Sequence, residues 1–511
     1  MSFFENVKTG YTFDDVLLVQ NYCLMTSRSE VNLSTEIGKS KLSLPIISSN
    51  MTTVTGPEMV IAMSDLGCSA SLHRFHDNID CLKNDIDKII EINANALLQT
   101  GISLSIDQRK NEEIMELINK YKEKNYNFGY FIIDVAHGGQ EKVLRTVRWF
   151  REKYPKYYLV GGNVASSETA LRLVDAGVDC VKAGVGPGCF VPETQVRTKK
   201  GSKKIKDVVN GDEVLTHKFR YKKVINTVKY KTKEKLISIN GVKSTKIHKY
   251  YVIDKKDKDV VNNANIHEYA KWVSAKDLSK EKHLLIKNIN LSLLMNFELI
   301  EIKEIEEIDY EGIVIDLTVE DDHTYNVSDV IVHNSACTTR RMSGVGYPQL
   351  SCIKEISETV GDCVSIIADG GIRNSGDIVK ALAAGADFVM LGSLLAGTFE
   401  TPGQVLTIGT GNTEKKVKLF TGMASYDAQI KHFKKDKKDF AAEGVANFVN
   451  YKGSVKNVIY NLERGIRSGF TYCGCQDISE MHEHGKNTSS WVKITNSGYN
   501  ESIPHTLLKT M

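Results

Sequence analysis

The chain of 511 residues carries 66 Lys and Arg against 63 Asp and Glu, a formal net charge of +3. This length predicts two or three domains, and the balance of charge excludes a global field that would attract nucleic acid or an anionic membrane. No apolar run reaches membrane-spanning length, the N-terminus lacks the apolar core of a signal peptide, and ten irregularly spaced cysteines indicate the reduced thiols of a cytoplasmic protein.

Residues 43–186 alternate short apolar runs with amphipathic segments. The strand candidates are Leu44–Asn50, Cys68–His73, Leu97–Leu104, Tyr130–Ala136, Tyr157–Val164 and Cys180–Gly186. The segments between them repeat apolar residues at three- and four-residue spacing, as helices do: Asp80–Ile90, Asn111–Lys122, Gln140–Lys153 and Ser167–Ala176. Since parallel neighbours need a crossover helix, these repeated βα units predict a parallel sheet.

The pattern changes between Cys189 and Asn334. Lys becomes frequent and short alternating runs predict strands and turns: Val208–Val214, Lys223–Tyr230, Leu236–Ile239, Tyr250–Ile253 and Gly312–Val319. After Ser335 the βα alternation resumes with helix Leu350–Thr359, strand Val364–Gly370, helix Gly376–Ala384 and strand Phe388–Gly392. Without the insert the chain holds eight strands, which favours a (β/α)8 TIM barrel over a doubly wound sheet. The predicted domains are one α/β barrel, formed by 1–188 and 335–511, and an inserted all-β domain, 189–334.

Glycines and polar residues follow several predicted strands. They are Asp134-Val135-Ala136-His137-Gly138, Gly184-Val185-Gly186-Pro187-Gly188, Asp369-Gly370-Gly371 and Gly392-Ser393. Any one of them could be a simple turn. Because glycine backbone N–H groups can approach a phosphate closely, their convergence at one barrel mouth predicts a ligand that carries phosphate.

Cys337 is the candidate nucleophile. Its neighbours are Thr338, Thr339, Arg340 and Arg341, and basic neighbours favour the reactive thiolate. Cys68, Cys180, Cys352 and Cys363 are expected in the core, and the single pair Cys473 and Cys475 is expected to be structural, since metal sites need more ligands.

Several stretches resemble the IMP dehydrogenase/GMP reductase family. They are Tyr11–Leu18, Ser27–Val31, Asn50–Val54, Gly344–Gln349, Ala368–Gly371 and the joined loop GVGPG-SACTTRR that removal of 189–334 would create. The resemblance implies a (β/α)8 barrel, a homotetramer, a purine nucleotide substrate (GMP or IMP) attacked at C2 by Cys337, and a bound K+ or similar monovalent cation. No nucleic-acid or membrane partner is expected.

The same resemblance implies roles for individual residues. Catalysis is expected from Cys337, Thr339 and Glu443. Substrate binding is expected from Ser335, Asp369, Gly370, Gly371, Gly392, Ser393, Gly422, Met423, Ala424, Glu443 and Gly444. Cofactor binding is expected from Ser27, Arg28, Arg74, Asp134, Val135, Ala136, Val185, Gly186 and Ser468. The cation ligands would be Gly186, Gly188, Cys337 and Arg340.

Two features favour GMP reduction with NADPH, which yields IMP and ammonia, over IMP oxidation with NAD to XMP. His76–Asn95 is too short for the regulatory CBS pair that dehydrogenases usually carry, and Tyr426–Phe440 lacks their Arg-Tyr pair. Against this, Asp134–Gly138 and Arg467–Gly469 look more like a dehydrogenase, and reductases often have a basic residue at the position of Phe440. The alternative from a different functional class is a binding protein, in which the barrel carries an inert insert and remains unspliced.

The insert resembles a self-splicing mini-intein with a Hint fold. The implied splicing residues are Cys189, Thr245, His248, Asp316, His323, His333, Asn334 and Ser335. Cys189 would accept the acyl group, Thr245 and His248 would activate the first bond, Ser335 would take over the acyl group and Asn334 would cyclise. Splicing would need no cofactor. The short connection from His248 to Asp316 leaves no room for a homing endonuclease, and the motif matches are individually weak but jointly specific.

Overall fold

The computed structural model describes residues 8, 10–184, 190–217, 220–245, 248–262, 266–275, 278–291, 294–319, 324–328, 330–333, 346–408, 414–421 and 446–495. The chain divides into two compact units. One is drawn from Met1–Val185, Tyr347–Lys435 and Ala446–Lys493, and the other is built mainly on Gly186–Gly346. Among the described residues, no helix has the length and apolar character needed to cross a bilayer.

The N-terminal part of the first unit alternates strands with helices. Strands β1–β9 are Val16–Leu18, Thr35–Ile37, Ser40–Leu42, Ile46–Ser48, Ser69–Leu72, Thr100–Leu104, Tyr130–Asp134, Leu159–Val164 and Cys180–Ala183. Helices α1–α5 are Pro57–Asp65, Ile79–Asn93, Gln108–Glu123, Glu141–Lys153 and Ser167–Ala176. Side chains of Asn78, Asp107 and Ser166 cap the starts of α2, α3 and α5. The strand expected from Leu97 begins at Thr100, because Ala94–Gln99 forms a 3-10 helix.

The second unit is a mostly antiparallel sheet of twelve strands. Strands β10–β21 are Gln195–Thr198, Gly201–Lys204, Glu213–Leu215, Tyr221–Ile239, Val242–Ser244, Lys249–Asp254, Lys271–Ser274, His283–Leu291, Leu294–Glu301, Ile305–Val319, Thr324–Val327 and Val330–His333, and α6 is Ile266–Tyr269. The expected strand Val208–Val214 is wrong for most of its length, because Gly211 has a φ of 94° and the Asp212 carboxylate accepts from the Val209 N–H in a turn.

The C-terminal part completes the first unit. Strands β22–β27 are Ser365–Asp369, Phe388–Leu391, Leu406–Ile408, Lys415–Thr421, Ala446–Asn450 and Trp491–Lys493. Helices α7–α10 are Gln349–Val360, Ser375–Ala383, Val455–Cys473 and Ile478–Lys486. Short 3-10 helices are Arg28–Glu30, Ala94–Gln99, Ile205–Asp207, Lys255–Asp257, Gly361–Cys363 and Thr488–Ser490. Strands β24, β25 and β26 form a separate antiparallel sheet, and β1 pairs with β27.

Eight parallel strands close into a barrel in the order β22-β23-β4-β5-β6-β7-β8-β9. Closure confirms the expected TIM-like barrel over the doubly wound sheet, since β22 pairs with β9 and β23, and β23 pairs with β4. The barrel interior is filled by apolar side chains that include Tyr130, Cys180 and Phe388. The expectation for Cys363 is wrong because this thiol is exposed in a 3-10 helix, whereas Cys68 and Cys352 are buried as expected.

Candidate functional site

A buried ion cluster lies at the carboxyl ends of the barrel strands. Lys182, on β9, is 3% exposed, and its Nζ lies 2.8 Å from Asp134 Oδ1 and 2.9 Å from Asp369 Oδ2. Asn50 Nδ2 donates to Asp134 Oδ2 at 2.9 Å and Asn163 Nδ2 donates to Asp369 Oδ2 at 2.9 Å. The ends of five strands, β4, β7, β8, β9 and β22, are therefore joined at the barrel mouth, where the active sites of such barrels lie.

Opposite charges decide the protonation of this cluster. Burial alone would raise the pKa of Asp134, but the Lys182 ammonium and the Asn50 amide hold that pKa below its usual range. Burial would lower the pKa of Lys182, but Asp134 and Asp369 raise it well above its usual range. Lys182 is therefore held as an ammonium beside the Asp134 carboxylate, and the Asn50 and Asn163 amides donate to the two aspartate side chains.

Asp369 leads directly into the expected phosphate loop. Gly370 and Gly371 have φ values of 95° and 79°, in the left-handed region that favours glycine. At Gly184 an added Cβ would lie 2.1 Å from the Asp369 carbonyl oxygen, so the backbone at the end of β9 packs against the end of β22. Gln349 Nε2 donates to the Ala183 carbonyl at 2.8 Å and supports the same junction from α7.

The expected cofactor residues fall into two places. Asp134, Val135 and Ala136 are at the barrel mouth, where Ala136 is exposed. Arg74 joins them, because its Nε donates to the Asp134 carbonyl oxygen at 3.2 Å, and burial lowers the pKa of its guanidinium while Asp134 opposes that shift.

Ser27 and Arg28 lie elsewhere, in the first 3-10 helix. The Ser27 and Glu30 side chains form a capping box there. Ser468 lies on α9, where its hydroxyl donates to the Arg464 carbonyl oxygen at 3.0 Å. Arg467, beside it, donates to the Val31 carbonyl oxygen, so α9 packs next to that 3-10 helix. These expected cofactor residues thus lie on two neighbouring elements outside the barrel strands.

Sequence reasoning missed three members of the ion cluster: Asn50, Asn163 and Lys182. One signal was available, because Lys182 is a charged residue inside the otherwise apolar strand candidate Cys180–Gly186, and a fully buried Lys is rare unless it is paired.

Many expected site residues lie outside the described part of the chain. They are Val185, Gly186, Gly188, Cys189, His323, Asn334, Ser335, Cys337, Thr339, Arg340, Gly422, Met423, Ala424, Glu443 and Gly444. The expected nucleophile, cation ligands and general acid stay predictions for that reason.

Residues near both ends of the predicted insert lie beside one segment of the second unit, Ser244–Tyr250. Phe190 forms bridges to Ser244 and Ile315, and its ring lies 3.9 Å from the ring of His248, centroid to centroid. Thr245 and His248 are buried, and the His248 N–H donates to the Thr245 carbonyl at 3.0 Å.

The other end of the insert reaches the same segment through β21. Val332 pairs with Tyr250 of β15, and His333 pairs with Thr324 of β20. Asp316 lies on β19, where its backbone pairs with Val228. Since β15 and β21 are antiparallel, the end of β21 lies beside the start of β15, next to His248.

A barrel with a lysine-carboxylate cluster and glycine turns at its mouth fits the family that the comparisons identify. The family model for the IMP dehydrogenase / GMP reductase domain matches residues 10–226 and 331–505. The chain belongs to the IMP dehydrogenase/GMP reductase family. The match omits residues 227–330, which lie within the second unit.

Similar proteins carry the name inosine-5'-monophosphate dehydrogenase. The protein of Nitrosopumilus maritimus is 29% identical over 524 residues, which span 98% of this chain and 99% of that protein. The protein of Aquifex aeolicus is 30% identical over 522 residues, spanning 98% and 96%, and that of Bacillus subtilis is 28% identical over 542 residues, spanning 98% and 96%. These names favour the dehydrogenase over the reductase that the sequence analysis expected.

Replacement of Lys182 by Met is expected to lower the free energy of unfolding of the barrel by about 3–5 kcal/mol, because it leaves two carboxylates facing each other without their counter-ion. Urea denaturation followed by circular dichroism measures this change. The exposed Lys110→Met on α3 is the matched control, with an expected change within about 0.5 kcal/mol. A loss below about 1 kcal/mol in Lys182→Met would show that the cluster is not a closed ion network.

Proposed function

We propose that the barrel, once its interrupted loop is joined, is an oxidoreductase that acts at C2 of a purine nucleotide and oxidises IMP to XMP with NAD. The ion cluster carries the proposal, because Asp369 is held by Lys182 and Asn163 immediately before two glycines with positive φ. That arrangement offers a fixed carboxylate for ribose hydroxyls beside backbone donors for a phosphate. The family and the names of the relatives support the same substrate class.

In the proposed reaction, the Cys337 thiolate bonds to C2 of IMP and the hydride on C2 passes to NAD. Water then attacks C2 of the resulting thioimidate, the C–S bond breaks, and XMP leaves while Cys337 regains its thiolate form. Thr339 and Glu443 would carry the proton from that water. A nicotinamide cofactor would be held at the mouth beside Asp134, Val135 and Ala136, where Asn50 fixes the Asp134 carboxylate and Ala136 is exposed. A monovalent cation would be held by carbonyls near Gly186, Gly188, Cys337 and Arg340.

GMP reduction is the second candidate, and one sequence feature favours it. The stretch Tyr426–Phe440 lacks an Arg-Tyr pair that could activate the hydrolytic water. A reductase needs no such water, because hydride from NADPH replaces the amino group at C2 and the thioimidate is released as IMP. Cys337 would be the nucleophile in both reactions.

One spectrophotometric assay separates the two candidates. We expect the purified protein with IMP and NAD to gain absorbance at the wavelength of reduced nicotinamide, with XMP as the product by chromatography. Loss of that absorbance with GMP and NADPH, together with ammonia release, would instead establish the reductase. Inactivity in both reactions, while IMP still protects the protein from thermal unfolding, would favour a binding protein.

We also propose that residues 189–334 are a self-splicing intein with a Hint-type fold. Three observations support the proposal: the family match omits 227–330, the second unit is a mostly antiparallel sheet, and Phe190 packs on His248. The His248 ring thus contacts Phe190, the residue that follows Cys189 in sequence. We assign to His248 the protonation of the amide nitrogen of the Gly188–Cys189 bond.

The proposed splicing reaction conserves atoms and needs no cofactor. Cys189 sulfur takes the acyl group from its own amide nitrogen, and the Ser335 hydroxyl then takes it from the sulfur. The Asn334 side chain cyclises onto its own carbonyl and breaks the bond to Ser335, with His333, Asp316 and His323 as proton-transfer groups. An acyl shift from oxygen to nitrogen finally joins Gly188 to Ser335.

We place the joined enzyme in the cytoplasm as a homotetramer. Size-exclusion chromatography with light scattering would test the oligomeric state.

A further inference from the structure

The segment after barrel strand β23, residues 392–401, is held by a buried lysine of the neighbouring sheet. We call this segment the β23 loop. Lys418, on β25, is 2% exposed, and its Nζ donates to three carbonyl oxygens of the loop: Phe399 at 3.0 Å, Thr398 at 3.2 Å and Thr401 at 2.5 Å. An ammonium has three donors, so the loop takes up all of them.

A second lysine holds the start of the same loop. Lys452, two residues after β26, donates from Nζ to the carbonyl oxygens of Ser393 at 2.8 Å and Leu394 at 3.0 Å. Its backbone N–H donates to the Gly397 carbonyl at 2.9 Å. At Gly397, which has a φ of 84°, an added Cβ would lie 2.3 Å from the Asn450 carbonyl oxygen, so loop and sheet are in close contact.

The loop is also anchored at its far end. The Phe399 N–H donates to the Gly453 carbonyl at 2.8 Å. The Glu400 carboxylate accepts from the Ser454 hydroxyl at 2.7 Å and the Val455 N–H at 2.8 Å, at the start of α9. The β23 loop is therefore attached along its length to the sheet strands and the helix that follow it in sequence.

The lysine contacts determine where the loop's own donors point. In a trans peptide the carbonyl of one residue and the N–H of the next lie in one plane and point in opposite directions. Fixing the Ser393 and Leu394 carbonyls on Lys452 therefore turns the N–H groups of Leu394 and Leu395 away from that ammonium. The Leu395 N–H donates to the Gly392 carbonyl at 3.1 Å. Of the two oriented groups, the Leu394 N–H is therefore the one without a main-chain acceptor among the described residues.

We propose that Lys452, supported by Lys418, is a positioning residue that orients the Leu394 N–H, at the start of the β23 loop, toward the nucleotide phosphate. The lysine does not touch the phosphate and acts through the peptide plane between Ser393 and Leu394. This role rests on the proposed function in one respect, namely that the phosphate of the substrate binds at Gly392 and Ser393. The lysine role also links the affinity for phosphate to the β25–β26 sheet. Residues 422–445, which include the expected general acid Glu443, connect these two strands in sequence.

The decisive comparison is between substrates with and without phosphate. In the purified protein, Lys452→Met is expected to raise the KM for IMP about tenfold while kcat changes less than about twofold. The Kd for inosine, which has no phosphate, is expected to stay unchanged. Lys452→Arg should retain most of the affinity for IMP, since a guanidinium can still donate to both carbonyls. The exposed Lys416→Met, on the same strand as Lys418, is the control and should match the wild type.

An equal increase in the inosine Kd, or a KM for IMP within twofold of the wild type, would overturn the proposal. Hydrogen exchange of amides 392–401 gives a readout that needs no turnover, and it should be faster in Lys452→Met and Lys418→Met than in Lys416→Met. If the wild type oxidises no IMP and reduces no GMP, the proposed function fails, whereas the exchange rates still show whether the lysines fix the loop. Unchanged exchange in both variants would refute the lysine role independently of activity.

Discussion

The double variant Cys189→Ala and Asn334→Ala is expected to remain a single chain of 57.0 kDa, whereas the wild type is expected to yield two shorter chains. Without the thiol the acyl shift cannot begin, and without the amide the final cyclisation cannot occur. Intact-mass analysis of fresh lysate measures both products. The same variant should have at least about 100-fold less oxidoreductase activity, because the insert separates Gly188 from Ser335 and misplaces the nucleophile.

Matched controls exclude general damage to the fold. Exposed Cys363→Ala and exposed Asn127→Ala change the same residue types outside the insert and should splice like the wild type. His248→Ala should slow cleavage at the Gly188–Cys189 bond while cleavage after Asn334 continues. A wild-type chain that stays at full mass, or a blocked precursor with near-normal turnover, would refute the splicing proposal.

Replacement of Cys337 by Ala is expected to reduce turnover by a factor on the order of 10⁴ or more, as is typical when an enzyme loses its covalent nucleophile. Affinity for IMP should change little, because the phosphate and ribose are bound by other residues. Steady-state kinetics and calorimetric titration with IMP measure the two effects separately. Denatured mass spectra of the wild type during turnover should also show a nucleotide adduct that is missing from Cys337→Ala.

The exposed Cys363→Ala again serves as the control, since its thiol lies in a 3-10 helix away from the barrel mouth. It should keep both the turnover and the adduct. Normal turnover in Cys337→Ala would mean that another group attacks C2, and loss of IMP binding in that variant would mean that the thiol acts in binding.

The strands of the barrel could be predicted from the sequence because each is a short apolar run between amphipathic helices. The cluster around Lys182 could not, because its partners Asp134 and Asp369 come from distant strands that only barrel closure brings together. Sequence reasoning identified both carboxylates by their glycine neighbours. It overlooked the lysine, because a charge inside an apolar strand indicates that a partner exists but not which distant strand supplies it.

In the second unit, local pattern was a weaker guide. The runs Lys223–Tyr230 and Leu236–Ile239 predicted two strands, but both belong to β13, which continues through the polar residues between them. That polar stretch is extended because it pairs residue by residue with β19, from Thr232↔Gly312 to Lys235↔Asp309. Long-range hydrogen bonding decided its conformation, whereas apolar alternation decided the flanking parts.

The convergence of both insert ends on the segment from Ser244 to Tyr250 has a consequence for how the barrel is made. Strand β9 must pair with β22, yet residues 184–364 separate them, and without the insert the connection would be about fivefold shorter. Closing the longer flexible connection costs on the order of 1 kcal/mol more in chain entropy. An insert that folds during synthesis, before β22 leaves the ribosome, removes that cost by tying its own ends together. If residues 189–334 are the proposed intein, this domain would assist the barrel's assembly before it is spliced out.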